Sequence, residues 1–221
     1  MIEPTQTLAD VALRYPSASR VFRHHKLDFC CGGKRSVADA CRERGLDIAS
    51  IAREIEGTDN DARQVDWQSQ TLESLIEHIL VQYHDAHRRE LSDLIELARK
   101  VERVHADKPD VPAGITEHLL GMHEALELHM QKEERILFPA ILAGHGHRML
   151  GPVSQMEIEH EQHGESLRRL REIAGNFVAP AHACTSWRAL LLRCEQLEAD
   201  IMAHVNLENS VLFPRALRGA R

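Results

Sequence analysis

Aromatic residues are scarce, at 4% of 221 residues, and β-branched runs are few. Leu, Ala, Glu and Arg dominate instead, a composition that favours helix. No stretch approaches the roughly 18 consecutive apolar residues of a membrane-spanning helix. The opening Met1-Ile2-Glu3-Pro4 has no basic segment leading into an apolar one, so no secretory signal is expected. Positive charge is in the minority: 27 Lys and Arg face 34 Asp and Glu, a net charge of −7, which argues against nucleic acid as the main partner. The five cysteines are odd in number and irregular in spacing. They suggest no disulfide framework, and the reducing cytoplasm is the expected compartment.

Histidine is abundant, with 15 copies, and its placement repeats. His129, Glu133 and Leu137-Phe138-Pro139 recur 75 positions later as His204, Glu208 and Leu212-Phe213-Pro214, each set reading H-x3-E-x3-L-F-P. His84 with His87, and His160 with His163, form two H-x-x-H pairs 76 positions apart, each with a Leu seven residues after its first His (Leu91, Leu167). Such duplication points to one site built from two similar halves.

Short helices are predicted at Leu8–Arg14, at 18–23, at 37–44 between a Ser36 N-cap and Gly45, and from an Asp47 cap to Glu56. Asp28-Phe29-Cys30-Cys31-Gly32-Gly33 reads as a loop. The polar stretch 58–63 reads as a linker, giving a small helical domain over 1–57, a connection over 58–70 and a larger domain over 71–221. In that larger part, periodic segments span about 72–104, 115–142, 152–174 and 186–212 or slightly beyond. Pro139 and Pro214 are expected to kink or end their helices. Four long helices with short connections predict an all-α, up-down-up-down four-helix bundle.

The apolar seams alternate steps of three and four. They run through Leu80, His84, His87, Leu91, Leu94, Ala98 and Val101, then Leu119, Met122, Leu126, His129, Glu133, Ile136 and Ala140. The third holds Val153, Met156, His160, His163, Leu167, Leu170 and Ala174; the fourth Leu190, Cys194, Leu197, Ile201, His204, Glu208 and Val211. The His and Glu residues thus occupy core positions. Residues i and i+4 of a helix lie about 40° apart around its axis and roughly 6 Å along it, so His129 and Glu133 share a face, as do His204 and Glu208. Unpaired carboxylates in a bundle core cost several kcal/mol each. A pair of cations removes that cost, and imidazole with carboxylate suits iron, manganese or zinc. Periodicity does not separate His84 from His87 or His160 from His163; one of each pair is expected to bind and the other to support it. Adjacent Cys30 and Cys31, before two glycines, read as a redox or metal-handling thiol pair.

These residues resemble those of the di-iron iron–sulfur-cluster repair family, which joins a small ScdA-type domain to a hemerythrin-like one. The resemblance rests on Asp28–Gly33 in the first part. In the second it rests on Tyr83-His84-Asp85, His129 with Lys132-Glu133-Glu134, Glu159-His160-Glu161, His204 with Glu208-Asn209, and Leu212-Phe213-Pro214-Arg215. It implies a hemerythrin-like bundle with two irons per chain in an oxo- or hydroxo-bridged centre. His84, His129, His160 and His204 would be ligands, with Glu133 and Glu208 bridging. It further implies recovery of iron–sulfur enzymes after nitrosative and oxidative stress, with nitric oxide chemistry. The separate thiol segment beside an imidazole and carboxylate site adds an expected route: iron donation with nitric oxide bound at the site, and Cys30 and Cys31 passing electrons or iron. The partners implied are damaged iron–sulfur proteins, nitric oxide or oxygen species, and an electron donor, with neither nucleic acid nor membrane. Monomer and homodimer are both compatible. The alternatives are an enzyme reducing nitric oxide to nitrous oxide and a sensor of O2 or nitric oxide.

Overall fold

The computed structural model describes residues 2–57 and 66–219; the expected linker at 58–63 lies outside them. Among the described residues no β-strand forms. Four short helices come first: α1 (Leu8–Arg14), α2 (Pro16–His24), α3 (Val37–Arg44) and α4 (Ile48–Glu56). Side chains of Thr7, Ser36 and Asp47 accept first-turn N–H bonds of α1, α3 and α4, and Gly45 ends α3 in the left-handed region that a glycine adopts without strain. These helices enclose Leu8, Phe22, Phe29, Ile51 and Ile55, all buried.

The rest of the described chain is a four-helix bundle. α5 (Leu72–His78) passes through a π-helical segment, Ile79–His84, into α6 (Asp85–Val104). α7 (Ile115–Lys132) passes through π-helical Glu133–Leu137 into α8 (Phe138–Leu142). α9 (Leu150–Ile173) is regular, with Pro152 in its first turn, where no intrahelical N–H bond is lost. α10 (Thr185–Leu207) passes through π-helical Glu208–Leu212 into α11 (Phe213–Leu217). Each long helix packs on its neighbours in sequence, and α10 closes the ring on α6.

The π-helical turns correct two expectations. Pro139 and Pro214 do not end their helices. The N–H groups of Phe138 and Phe213 reach back five residues, to the carbonyls of Glu133 and Glu208, and each proline then falls in the first turn of the helix that follows. The extra residue also rotates the seam. Ile136 is exposed and Ala140 only half-buried, whereas Leu137, Phe138 and Ile141 fill the core; Leu80 likewise yields its place to Ile79. Regular 3.6-residue counting fails wherever a helix carries one extra residue.

Two apolar clusters sit above and below the His and Glu layer. One runs from Leu91 and Leu126 to Leu170 and Trp187; the other gathers Leu75, Phe138, Met156, Val211 and Phe213. Trp187 is fully buried, so Trp187→Ala is expected to cost about 3–5 kcal/mol in urea unfolding. A loss below about 1 kcal/mol would mean that this end of the bundle is loosely packed. The N-terminal helices lie against the bundle: Arg23 Nη1 donates to the Glu195 carbonyl at 3.0 Å, and Cys30 joins the first cluster.

Candidate metal centre

The bundle brings six buried side chains together in two overlapping groups. His84, Glu133, His204 and Glu208 form one; His129, Glu133, His160 and Glu208 form the other. Within each group the available donor atoms lie within 4.8 Å of one another. Both carboxylates belong to both groups. Glu133 Oε2 lies 3.4 Å from His84 Nε2 and 3.5 Å from His129 Nε2. Glu208 Oε2 lies 3.1 Å from His160 Nε2, and its Oε1 3.0 Å from His204 Nε2. The π-helical turns end on His84 and begin on Glu133 and Glu208, so they set the rotation of three of the six.

Close approach here does not mean hydrogen bonding. Among the described residues, both oxygens of Glu133, both oxygens of Glu208, His84 Nε2 and both ring nitrogens of His204 are buried without a hydrogen bond. The Nε2 atoms of His129 and His160 face each other at 3.0 Å. Native interiors rarely leave so many polar atoms unsatisfied at one place. Acceptor atoms converging on a shared centre are the arrangement a cation requires. Burial, then the Glu208 carboxylate, pushes Glu133 well above the usual carboxylate range. Glu208 is held well below it, because the His204 and His160 imidazoles outweigh its burial. Burial, then His160, pushes His129 well below the usual imidazole range.

An outer ring of side chains aims the imidazoles. His84 Nδ1 donates to Glu134 Oε1 at 2.8 Å, and Arg88 holds that same oxygen at 2.9 Å. His129 Nδ1 donates to Glu159 Oε2 at 3.0 Å; Lys132 and Gln155 hold the other Glu159 oxygen at 2.6 and 2.9 Å. Burial opposes these bonds, but they prevail and keep Glu159 down at about 2. His160 Nδ1 donates to Asn209 Oδ1 at 2.9 Å. A carboxylate or amide oxygen can only accept, so each Nδ1 carries the proton and each Nε2 turns a lone pair inward. His204 differs: among the described residues no hydrogen bond reaches its ring, which stacks on Tyr83 at 5.1 Å. Burial, then Asp200 and Glu208, pushes the Tyr83 hydroxyl up to about 12, so it stays neutral.

Sequence reasoning missed this outer ring, although a signal was present. Glu134, Glu159 and Asn209 each adjoin a site residue in sequence (Glu133, His160 and Glu208) and serve an imidazole on a neighbouring helix. Glu134→Ala is expected to weaken metal binding about 10–100-fold, measured by competition with a chelator; unchanged affinity would deny Glu134 its aiming role.

His87 and His163, the second members of the H-x-x-H pairs, fall outside both groups. Each is buried with Nε2 unpartnered, His87 beside His204 and His163 beside His129. Burial pushes His87 well below the usual imidazole range and His163 down to about 4, so both are neutral at pH 7.

Cys30 and Cys31 lie against the outside of α9. Cys31 Sγ donates to the His160 carbonyl at 3.2 Å, and Asn209 Nδ2 donates to the Cys30 carbonyl at 3.4 Å. Asn209 therefore touches both an imidazole of the core and the thiol loop. Two glycines make the loop and its docking. A Cβ on Gly33 would stand 2.2 Å from the Phe29 carbonyl oxygen, and one on Gly164 would stand 3.1 Å from Cys31 Sγ. The bond to Cys31, then burial, raises the Cys30 thiol well above its usual range. Cys194 is buried in the bundle core, as its seam position suggests.

A four-helix bundle whose core holds paired H-x3-E motifs and unsatisfied inward-facing donors defines a helical cation-binding protein. The chain belongs to the hemerythrin HHE cation binding domain family, whose model matches residues 75–216. A second family model, ScdA_N, described as a domain of unknown function (DUF542), matches residues 4–59. The chain is 48% identical over 216 residues to the iron-sulfur cluster repair protein YtfE of Cronobacter sakazakii, covering 98% of each. It is 47% identical over 214 residues to proteins of the same name from Escherichia coli and Shigella boydii, covering 97% of each. No helix is long and apolar enough to cross a membrane among the described residues.

Proposed function

We propose that this chain is a di-iron protein that repairs damaged iron–sulfur clusters by donating iron. The observation that carries this reading is the sharing of Glu133 and Glu208 by two His pairs, which fits two adjacent cations held by six side chains. The near-full-length similarity to proteins named for cluster repair supports the role. Imidazole and carboxylate donors suit iron and need no thiolate. Two irons would supply redox chemistry and open positions for nitric oxide or an oxygen species.

The chain's own residues divide the work. Glu133 and Glu208 would hold both ions. Glu134, Glu159 and Asn209 keep three imidazoles aimed inward, and the two apolar clusters exclude water from either side. His204 packs on Tyr83 and has no hydrogen-bonded support among the described residues, so the half it shares with His84 would be the one to hold its ion less firmly. Cys30 and Cys31, one hydrogen bond from the His160 backbone, take part in passing iron or electrons outward. In this reading residues 1–57 and 71–221 act as two functional units, in the cytoplasm, where thiols stay reduced.

The test is transfer itself. Iron-loaded protein, reduced and kept free of oxygen, is mixed with a [4Fe–4S] dehydratase inactivated by nitric oxide. Dehydratase activity is expected to return as iron leaves this chain in matching amount. Recovery with no loss of iron from this chain would refute donation.

A further inference from the structure

Outside the bundle core, one further cluster has the spacing of a metal site. The Cys30 and Cys31 sulfurs lie 3.6 Å apart, and Asp28 Oδ1 lies 3.4 Å from Cys30 Sγ. With metal–sulfur bonds of about 2.3 Å and metal–oxygen bonds of about 2.0–2.2 Å, a tetrahedral ion sets two sulfurs about 3.8 Å apart and a sulfur and an oxygen about 3.5 Å apart. The three side chains already stand within a few tenths of an ångström of two edges of such a tetrahedron. A disulfide, by contrast, would need the sulfurs to close to about 2.05 Å. The carboxylate is held in place: Asp28 Oδ1 accepts the N–H groups of Cys30 and Cys31 at 3.2 and 3.0 Å. Oδ1 also takes the Cys30 thiol, so an ion bound there would replace that thiol proton while the two N–H groups keep the carboxylate in place.

An approach for a cation lies on one side of the loop. A cavity of about 350 Å³ opens onto both cysteines and is lined by Asp10, Glu157 and Glu161 with Lys34. Asp28 does not line it; with Cys30 it faces a cleft of about 200 Å³ on the other side, where Arg23, Lys26 and Arg171 make the surroundings basic. Lys34 is itself paired with Glu157 at 3.6 Å. A cleft lined by one sign of charge concentrates the opposite ion.

We propose that Asp28, Cys30 and Cys31 form a second, mononuclear site for a divalent transition-metal ion, loaded through the acidic cavity and distinct from the His and Glu site of the bundle. Two sulfurs and one oxygen select an ion of intermediate softness and leave a fourth position for water or for a donor atom of an acceptor protein. On binding, the two thiol protons pass to solvent and two metal–sulfur bonds form, with no change of oxidation state. Only the identity of the natural cargo, ferrous iron on its way out, rests on the iron-donation reading.

The test adds cobalt(II) to full-length, iron-loaded, reduced protein under anaerobic conditions, following sulfur-to-cobalt charge-transfer absorption and both metals per chain. One further cobalt per chain with a thiolate band is expected. Cys30→Ser or Cys31→Ser should abolish the band, and Asp28→Asn should weaken cobalt binding at least about 10-fold. Cys184→Ser, which removes the exposed thiol near His105, should leave the band unchanged. Absence of the band in the unmodified protein, its survival in both the Cys30 and Cys31 variants, or its loss in the Cys184 variant would overturn the site. An unchanged cobalt affinity in the Asp28 variant would remove Asp28 from it. The bundle offers no thiolate at its His and Glu core, so a chain that failed to hold two irons would still give or lack this band independently.

Discussion

Glu208→Ala is expected to empty both halves of the centre, not one. Glu208 belongs to both four-residue groups, with one oxygen 3.0 Å from His204 Nε2 and the other 3.1 Å from His160 Nε2. Truncation therefore removes a donor from each half and leaves three protein donors on either side. Losing a supporting residue in the outer ring typically costs about 10–100-fold in affinity, and losing a shared inner ligand should exceed the upper end of that range at both positions. Glu133→Ala should behave alike. His204→Ala gives the contrast: it takes a donor only from the half that contains His84, so the His129 and His160 half should keep its ion. His87→Ala and His163→Ala should leave metal content near that of the unmodified chain, since neither residue lies in either group. Metal analysis of the five variants after equal dialysis checks the pattern. Equal losses from Glu208→Ala and His204→Ala would show that the carboxylate is not shared.

Removing metal should destabilise the bundle strongly. Without a cation, four carboxylate oxygens and several imidazole nitrogens remain buried with no hydrogen bond. Buried groups of this kind cost about 1–3 kcal/mol each when unsatisfied, and more when charged. For a chain of this size 1 kcal/mol shifts the melting temperature by about 2–4 °C. The metal-free protein is therefore expected to melt at least about 10 °C below the loaded one. The sign reverses for a neutralised site. Glu133→Gln, at the carboxyl that burial and then Glu208 push up, keeps the shape and removes the costly charge, so its metal-free form should melt at or above the metal-free unmodified protein. Both should melt below the loaded unmodified protein. Calorimetry of the three samples decides, and a midpoint indifferent to chelation would mean that the buried polar atoms find partners without a cation.

Much of this arrangement was legible in the sequence, for identifiable reasons. Two short helices begin at Ser36 and Asp47 and one ends at Gly45, as their sequence suggests, because caps act locally. His129 with Glu133 and His204 with Glu208 could be placed on core faces because the seams around them are regular up to those residues. Past Glu133 the regularity fails. A one-residue π-helical insertion leaves no mark in an apolar pattern read with a fixed period, so Ile136 and Ala140 were placed in the core where Leu137 and Ile141 sit. The prolines at 139 and 214 were the available sign: a helix that continues through a proline must release a backbone bond somewhere before it. The choice between His84 and His87 was hidden for a different reason. Both face the core, as do His160 and His163 on regular α9, and only the heights of the facing Glu133 and Glu208 distinguish the members of each pair. The outer ring left only a partial mark: Glu134, Glu159 and Asn209 adjoin site residues in sequence, but the imidazoles they serve lie on other helices, as Glu134 serves His84 and Glu159 serves His129. Neighbouring helices place these residues together; neighbouring sequence does not.

The most direct measurement is iron per chain with Mössbauer spectroscopy on the purified, iron-loaded protein. Two irons per chain, magnetically coupled and both lost in Glu208→Ala, are the predicted result. A single zinc or iron per chain, or two irons with no coupling between them, would contradict a centre held together by Glu133 and Glu208.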